Sequence, residues 1–248
     1  MGIPWNVSIP GEVLTECTGT KLGEYHTQPK SMMDIQIHGH RYYEENFGIP
    51  SPKVIRVDLG YLCSSLLGLP VLFPDDNVPM PAQGKDGPHV FNSVEDLLQA
   101  RPPDRIEEAG LMPLYLRHYR HMSANRPQDQ RLINMLWFWS HGPWTAAVLL
   151  RGQDLFLEAR LHPDAVHRFM KVVTETLSRK IEFGLKLDGL PEDAIETMSF
   201  ADDYAGLMSP QMLRDFAIHY IGVIFDRFRV KDRRLHIETL RPQHLPVL

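Results

Sequence analysis

Hydrophobic and polar positions along this chain follow two periods, which predict helices and strands in alternation. From Pro163 onwards, apolar residues recur at steps of three and four, as Val166, Phe169 and Val173 illustrate, and predict the longest helix, which stops at 187–189. A second helix with a wide apolar side is expected over 210–228. Shorter helices are expected at 30–47, 59–67, from 92 or 93 to 100, and 111–122.

Between these helices lie short stretches typical of strands. They are 53–58, the compact apolar run 131–139, the alternating stretch 194–200, and 235–238. This order indicates an α/β fold with parallel pairing. Residues 1–29 are expected to form an irregular lead-in and 71–89 a long loop. With a less distinct strand near the N-terminus the total is about five, whereas a closed (β/α)₈ barrel has eight.

Composition limits the classes of function. The 248 residues are 43% hydrophobic, as in an ordinary globular domain, and the net charge of −5 argues against nucleic acid or an anionic membrane as the main partner. No apolar run approaches the ~20 residues of a membrane span, and the N-terminus lacks the pattern of a signal peptide. Cys17 and Cys63 form neither a disulfide framework nor a metal-knuckle spacing. We therefore expect one cytoplasmic domain over residues 1–248.

The loop after the predicted strand 194–200 carries two adjacent carboxylates, Asp202 and Asp203. Ser209 and Pro210 then suit the start of the next helix, as N-cap and first helical residue. Side chains at the carboxyl ends of parallel strands form the active site in α/β barrels, which makes both aspartates candidate catalytic residues. The alternative is a pair of solvated turn formers.

Other strand ends also present polar groups, namely Asp58, His141, and the pair His236 and Glu238. Residues two apart on a strand face the same side, so this last pair could supply two ligands to Zn²⁺ or an imidazole–carboxylate pair for proton transfer. The alternatives are a strand-end cap for Asp58, a structural histidine at His141, and an exposed edge-strand face for the pair.

Several segments together resemble the uroporphyrinogen decarboxylase superfamily. Gly142-Pro143-Trp144-Thr145 with Leu150-Arg151-Gly152 is similar to one of its segments, and 162–166 and 203–210 are similar to those that follow. The ordered set covers most of 30–245. This resemblance implies a (β/α)₈ barrel with its site at the carboxyl ends of the strands, and it adds Tyr204 to the candidate catalytic residues.

The superfamily contains decarboxylases and zinc-dependent methyltransferases that serve corrinoid proteins. The arginine motif that decarboxylases carry near the N-terminus has no clear counterpart here, and Val148-Leu149 stands where their tyrosine is expected. Asp58 lies near their catalytic aspartate, with a one-residue slip. His236-Ile237-Glu238 stands where thiol methyltransferases have a His-x-Cys zinc pair, and a carboxylate in place of the thiolate implies a harder metal site.

The resemblance therefore implies an enzyme that moves a methyl group between a small donor and a corrinoid protein, with zinc at His236 and Glu238. The alternatives are a uroporphyrinogen decarboxylase, in which Asp58 balances charge on a pyrrole, and a truncated, non-catalytic family member. The resemblance stops with about three barrel strands to go. An incomplete barrel with exposed edges predicts poor solubility or a homo-oligomer.

Overall fold

A computed structural model describes residues 10–48, 50, 53–82 and 89–248. The α-helices are α1 Gly11–Thr18, α2 Leu22–Thr27, α3 Pro29–Phe47, α4 Leu62–Ser65, α5 Val94–Gln99, α6 Met112–Asn125, α7 Met135–Phe138, α8 Pro143–Arg151, α9 Asp154–Leu161, α10 Pro163–Leu187, α11 Pro210–Met212 and α12 His219–Arg227. The strands are β1 Val54–Arg56, β2 Val71–Leu72, β3 Met80–Pro81, β4 Arg131–Ile133, β5 Trp139–His141, β6 Thr197–Ala201 and β7 Asp232–His236. The predicted α/β class is confirmed.

The chain divides into two compact units. The first comprises the described residues of 1–60, 72–80 and 114–134, and the second those of 61–71, 81–113 and 135–248. In the first unit, helices α1, α2 and α3 pack together and β1 pairs with β4 in parallel, Ile55 opposite Leu132. The prediction of a single domain over residues 1–248 stays a prediction.

The second unit is built on the parallel sheet β5-β6-β7, in that spatial order. The long helix α10 packs against α5, α7, α8, α9 and α12 of the same unit. Its apolar side is buried, including Phe169, Val173, Leu177 and Ile181, as its spacing predicts. This core supports the sheet from which the candidate site projects.

The helix boundaries follow from local chemistry. Gly48, at φ 65°, ends α3 in the left-handed conformation that glycine adopts without steric cost. Ser93 and Asp96 form a reciprocal capping box at the start of α5, and the Ser209 hydroxyl accepts a hydrogen bond from the Met212 N–H at the start of α11. The helical segment predicted over 210–228 is present, with a π-helical stretch at Leu213–Ile218.

The prediction of a single buried strand over 131–139 is wrong. Residues Arg131–Ile133 pair with β1, Met135–Phe138 form the short helix α7, and Trp139–His141 pair with β6. A continuous apolar run carries no period that separates a strand from a short helix, so its pattern could not reveal the break. At Asn134, between β4 and α7, the buried side-chain amide oxygen accepts a hydrogen bond of 2.9 Å from the Tyr115 hydroxyl.

Two segments expected to be irregular contain regular structure. Helices α1 and α2 lie within 1–29, and strands β2 and β3 lie within 71–89. Residues 1–9 and 83–88 of these segments lie outside the described residues. Both helices are short, six to eight residues, and tertiary packing against α3 stabilises such helices more than their own propensity.

Five strands of the described residues, β1, β4, β5, β6 and β7, lie in parallel pairs, and these residues form no closed barrel. No helix in the described part of the chain combines the length and apolar character that crossing a bilayer requires.

Candidate functional site

Three strand ends meet at one edge of the sheet in the second unit. His141, Ala201 and His236 are aligned across β5, β6 and β7. The pairing continues one residue further, because the Gly142 N–H donates to the Ala201 carbonyl at 2.8 Å and the Asp202 N–H to the His236 carbonyl at 2.8 Å. The residues that follow each strand are thereby brought together.

Asp203, His236 and Glu238 form a cluster at this edge. The His236 Nε2 atom lies 3.6 Å from Asp203 Oδ1 and 3.8 Å from Glu238 Oε1. One ligand atom from each residue lies within 4.8 Å of the other two. We refer to these residues as the acidic triad.

The charges of the triad affect one another. Burial raises the pKa of Asp203 above its ordinary value, the negative charge of Glu238 raises it further, and His236 opposes both effects. The Oδ1 atom of Asp203 is buried and accepts no hydrogen bond from the described residues. A buried acceptor without a donor is costly, and a bound cation would satisfy it.

The triad fits a divalent metal in its donor set and spacing. Zn²⁺ is bound by imidazole nitrogen and carboxylate oxygen at about 2.0–2.2 Å, which places tetrahedral ligand atoms about 3.3 Å apart. The separations from His236 are 3.6 and 3.8 Å, and the two carboxylates lie no more than 4.8 Å apart. Side-chain movements of up to about 1.5 Å would bring all three ligand atoms to that spacing. Nitrogen and two carboxylates also suit harder cations than a thiolate site would.

A cavity of about 370 Å³ adjoins the triad. Its lining combines aromatic, aliphatic, hydroxyl and acidic side chains, contributed by Tyr61, His141, Thr145, Leu149, Asp203, Tyr204, Leu207, Glu238 and Thr239. None of these described lining residues is a lysine or an arginine. The cavity is therefore acidic and partly apolar, with room for a small molecule.

His141 lines this cavity between two aromatic rings. Its ring centroid lies 5.3 Å from that of Trp139 and 5.9 Å from that of Tyr61. Burial, together with the positive charge of Lys180, lowers the pKa of His141 to about 4. The imidazole is accordingly neutral near pH 7, where it can donate one hydrogen bond and accept another.

Asp202 lies apart from the cavity lining, although it is adjacent to Asp203 in sequence. Its side chain is fully buried and accepts hydrogen bonds from the backbone N–H groups of Thr145 at 2.6 Å and Trp144 at 3.4 Å. These groups belong to the first turn of α8, where helix N–H groups lack partners within the helix. Burial rules out the interpretation as a solvated turn former, and the catalytic role of Asp202 stays a prediction.

Two glycines permit the close approaches that build the site. A Cβ atom on Gly142 would lie 2.3 Å from the Asp202 carboxyl group, and one on Gly206 would lie 1.9 Å from the Glu238 carbonyl oxygen. Thr145 adds a link, since its hydroxyl accepts a hydrogen bond of 3.2 Å from the Tyr204 N–H.

Asp58 belongs to the first unit, and its contacts there are of a different kind. Its Oδ2 accepts a hydrogen bond of 3.3 Å from the Tyr25 hydroxyl, and its N–H lies 3.3 Å from the Met32 sulfur. Its carbonyl oxygen lies 3.0 Å from His26 Nδ1. These contacts hold the end of β1 against α2 and α3.

Sequence reasoning did not select several lining residues. Tyr61 and Thr239 carry no motif or spacing that would distinguish them. Leu207 stands in the segment 203–210 that carried the resemblance, and Leu149 stands where the decarboxylase tyrosine is expected. Thr145 stands in the Gly142–Thr145 segment that carried the resemblance, which is the one signal that could have indicated it. Of the residues that the sequence left open as a further metal ligand, Asp203 is the one that lies beside both His236 and Glu238.

The family model described as uroporphyrinogen decarboxylase (URO-D) matches residues 6–240. The chain belongs to the URO-D family. A comparison with curated protein sequences gives no significant match.

Among solved structures, this URO-D family chain is similar to a methyltransferase from Methanosarcina mazei, with a TM-score of 0.64 and 19% sequence identity. The match covers 94% of this chain and 62% of the methyltransferase chain. At this identity the likeness establishes a shared fold.

Proposed function

We propose that this URO-D family chain is a methyltransferase that moves a methyl group between a small donor and a corrinoid protein, with the acidic triad as its metal centre. The observation that carries the proposal is the convergence of Asp203, His236 and Glu238 beside a cavity of about 370 Å³. The shared fold with the Methanosarcina methyltransferase agrees with it.

Asp203, His236 and Glu238 would hold the metal, for which Zn²⁺ is our first choice. Bound there, Zn²⁺ would act as a Lewis acid that polarises the heteroatom carrying the methyl group. The buried Oδ1 of Asp203 is a ligand atom already withdrawn from water, so little of its hydration has to be removed on metal binding.

The other lining residues would bind and orient the methyl donor. Leu149 and Leu207 offer apolar contacts to a methyl group, and neutral His141 offers a hydrogen bond without adding charge. Leu207 is 62% exposed and Tyr204 38% exposed. This exposed edge of the cavity is where we expect a corrinoid protein to dock, because both reactants must reach the same methyl group.

The decarboxylase alternative has less support from the cavity. A substrate with many carboxylates needs fixed cationic partners, yet the described lining contains two carboxylates and no lysine or arginine. That alternative predicts turnover of uroporphyrinogen and its loss in Asp58→Asn. A non-catalytic family member would instead bind no metal and transfer no methyl group.

We also propose that the parallel strands belong to a (β/α)₈ barrel and that the protein is a cytoplasmic homo-oligomer. The five parallel strands support the barrel, and β7, which pairs only with β6 among the described residues, offers an unpaired edge to a second copy. Sedimentation equilibrium would test the oligomer, and a monomer at all concentrations would contradict it.

Titration with Zn²⁺ and a methyl-transfer assay with methylcobalamin together test the function. We expect about one Zn²⁺ per chain, and weaker binding with loss of transfer in His236→Ala and Asp203→Asn. The control variants His219→Ala and Glu192→Gln remove an imidazole and a carboxylate from exposed positions outside the cavity. They should leave Zn²⁺ binding and methyl transfer unchanged. Full transfer by His236→Ala without bound metal would contradict the proposal.

A further inference from the structure

We propose that Cys63 and Lys180 form a site of reversible oxidative cross-linking, where peroxide joins the Cys63 sulfur to the Lys180 amine. Both residues lie in the second unit, Cys63 on α4 and Lys180 on α10, two helices that pack together. The Lys180 Nζ atom lies 3.5 Å from the Cys63 Sγ atom. The site is separate from the acidic triad and does not depend on the proposed function.

The position of Lys180 is unusual for a lysine. Its side chain is 1% exposed, and lysine is rarely buried to this degree without a partner of opposite charge. Among the described residues no carboxylate lies within ion-pair distance of it, and its ammonium group donates to the Cys63 sulfur. This arrangement presents an amine to a thiol rather than to a carboxylate.

A second polar contact also holds the thiol. Cys63 is 6% exposed, and its sulfur lies 2.8 Å from the hydroxyl oxygen of Ser140, on β5. The Ser140 hydroxyl also donates to the His141 carbonyl at 2.9 Å. Of the two groups that the sulfur contacts, an amine is a better nucleophile than a serine hydroxyl, so a reactive sulfur species formed there has its nucleophile already in place.

The chemistry balances with one equivalent of hydrogen peroxide. The Cys63 sulfur attacks one peroxide oxygen, the O–O bond breaks, and the departing hydroxide leaves as water with the thiol proton, which gives a sulfenic acid. The Lys180 ammonium group releases one proton to solvent, and the resulting amine attacks the sulfur. An S–N bond forms, the S–O bond breaks, and the hydroxide leaves as water with one amine proton. Peroxide is reduced, sulfur is oxidised, and the chain loses two hydrogen atoms.

The product would tie α4 to α10 through a covalent bond next to β5. A sulfur–nitrogen bond of this kind is cleaved by excess thiol, which returns the amine and, after a second thiol exchange, the free cysteine. The modification would therefore be reversible, and it would protect Cys63 from irreversible oxidation to sulfinic acid.

Peptide mass mapping of the full chain after peroxide treatment tests this proposal. We expect a cross-linked peptide containing Cys63 and Lys180, lighter by about 2 mass units than the sum of its parts and lost after dithiothreitol. Protein treated in urea should give no such peptide, because the two residues are then apart. A native sample in which Cys63 is unmodified or sulfinic, with no joined peptide, would overturn the proposal.

Two variants test whether the cross-link requires Lys180 and does not involve Cys17. In Lys180→Met we expect no cross-link and more sulfinic acid at Cys63, whereas Cys17→Ser should keep the cross-link, because Cys17 lies in the other unit. Loss of the joined peptide in Cys17→Ser would contradict the assignment. If Lys180→Met does not fold, the comparison of native with urea-unfolded wild type decides the question alone.

Discussion

The carboxylate of Asp202 accepts a hydrogen bond of 2.6 Å from the backbone N–H of Thr145, which lies 57 positions earlier in the chain. This bond joins the end of β6 to the first turn of α8 within the second unit. Asp202 therefore acts as a helix cap that comes from another element, and Asp203 is the aspartate that lines the cavity.

Replacement of Asp202 should lower stability. Asp202→Ala removes the acceptor for two N–H groups of α8, and we expect the free energy of unfolding to fall by about 1–3 kcal/mol. Asp202→Asn keeps one oxygen that can accept from Thr145, so its free energy of unfolding should fall less than that of Asp202→Ala. Urea unfolding measures both, with the exposed Asp193→Ala as control. Equal stability of Asp202→Ala and the wild type would contradict the capping role.

The same carboxylate predicts a pH dependence. Burial raises the pKa of Asp202 from 3.8 to about 6, and the hydrogen bonds from Thr145 and Trp144 offset only part of this effect. Between these two values the folded state keeps a proton that the unfolded chain has lost, so stability declines as the pH rises from about 4 to about 6.

Measurement of unfolding free energy across that pH range, in wild type and Asp202→Asn, isolates this contribution. The asparagine does not titrate, so the difference between the two proteins should change through the window and become constant above about pH 7. A difference that stays the same from pH 4 to pH 7 would show that Asp202 does not carry the dependence.

A methyl group at Gly206 should disturb the acidic triad without changing a ligand. The added carbon would lie 1.9 Å from the Glu238 carbonyl oxygen and 2.7 Å from the Thr239 hydroxyl, so the backbone that carries Glu238 must move. We expect Gly206→Ala to weaken Zn²⁺ binding about 10-fold, in the range seen when groups that orient metal ligands are altered.

Gly222→Ala is the matched control for that substitution. A Cβ atom at Gly222 meets no atom within 4 Å, and alanine favours a helix by up to about 1 kcal/mol over glycine. Isothermal titration of Zn²⁺ into both variants makes the comparison. Equal affinity of Gly206→Ala and Gly222→Ala would argue against a triad positioned by this contact.

Arg151 should be necessary for the stability of α8 and α9. Its guanidinium makes two hydrogen bonds to the Glu158 carboxylate, at 3.1 and 2.6 Å, and both side chains are nearly buried. Removing one partner leaves a buried charge alone, so Arg151→Ala should cost about 3–5 kcal/mol in thermal or urea unfolding.

The double variant Arg151→Met with Glu158→Leu tests the reason for that loss. Replacing both charges by apolar groups removes the unpaired carboxylate, and we expect it to recover most of the stability. A double variant as unstable as Arg151→Ala would mean that packing, rather than the unpaired charge, causes the loss.

The hydrophobic period correctly predicted the elements in which it repeats over many residues. Helix α10 repeats its apolar spacing over 25 residues, and the strand–helix order gave the parallel α/β class. Short elements were harder to predict from the sequence pattern. The run 131–139 divides into β4, α7 and β5 because each piece pairs with or packs against a different distant segment, which a local pattern does not encode.

For the site, the sequence by itself determined which polar groups stand at or after the strand ends. The strand predicted over 235–238 lies at 232–236, so Glu238 follows β7, and the two-residue period of a strand does not explain why it lies near His236. Only the tertiary structure decided which of the two adjacent aspartates caps a helix and which one lines the cavity. Asp202 turns to the N–H groups of α8 and Asp203 to the cavity, because the partners of each lie tens of residues away in sequence. Sequence spacing fixes the direction of a side chain within its own element, whereas its partners depend on the packing of other elements against it.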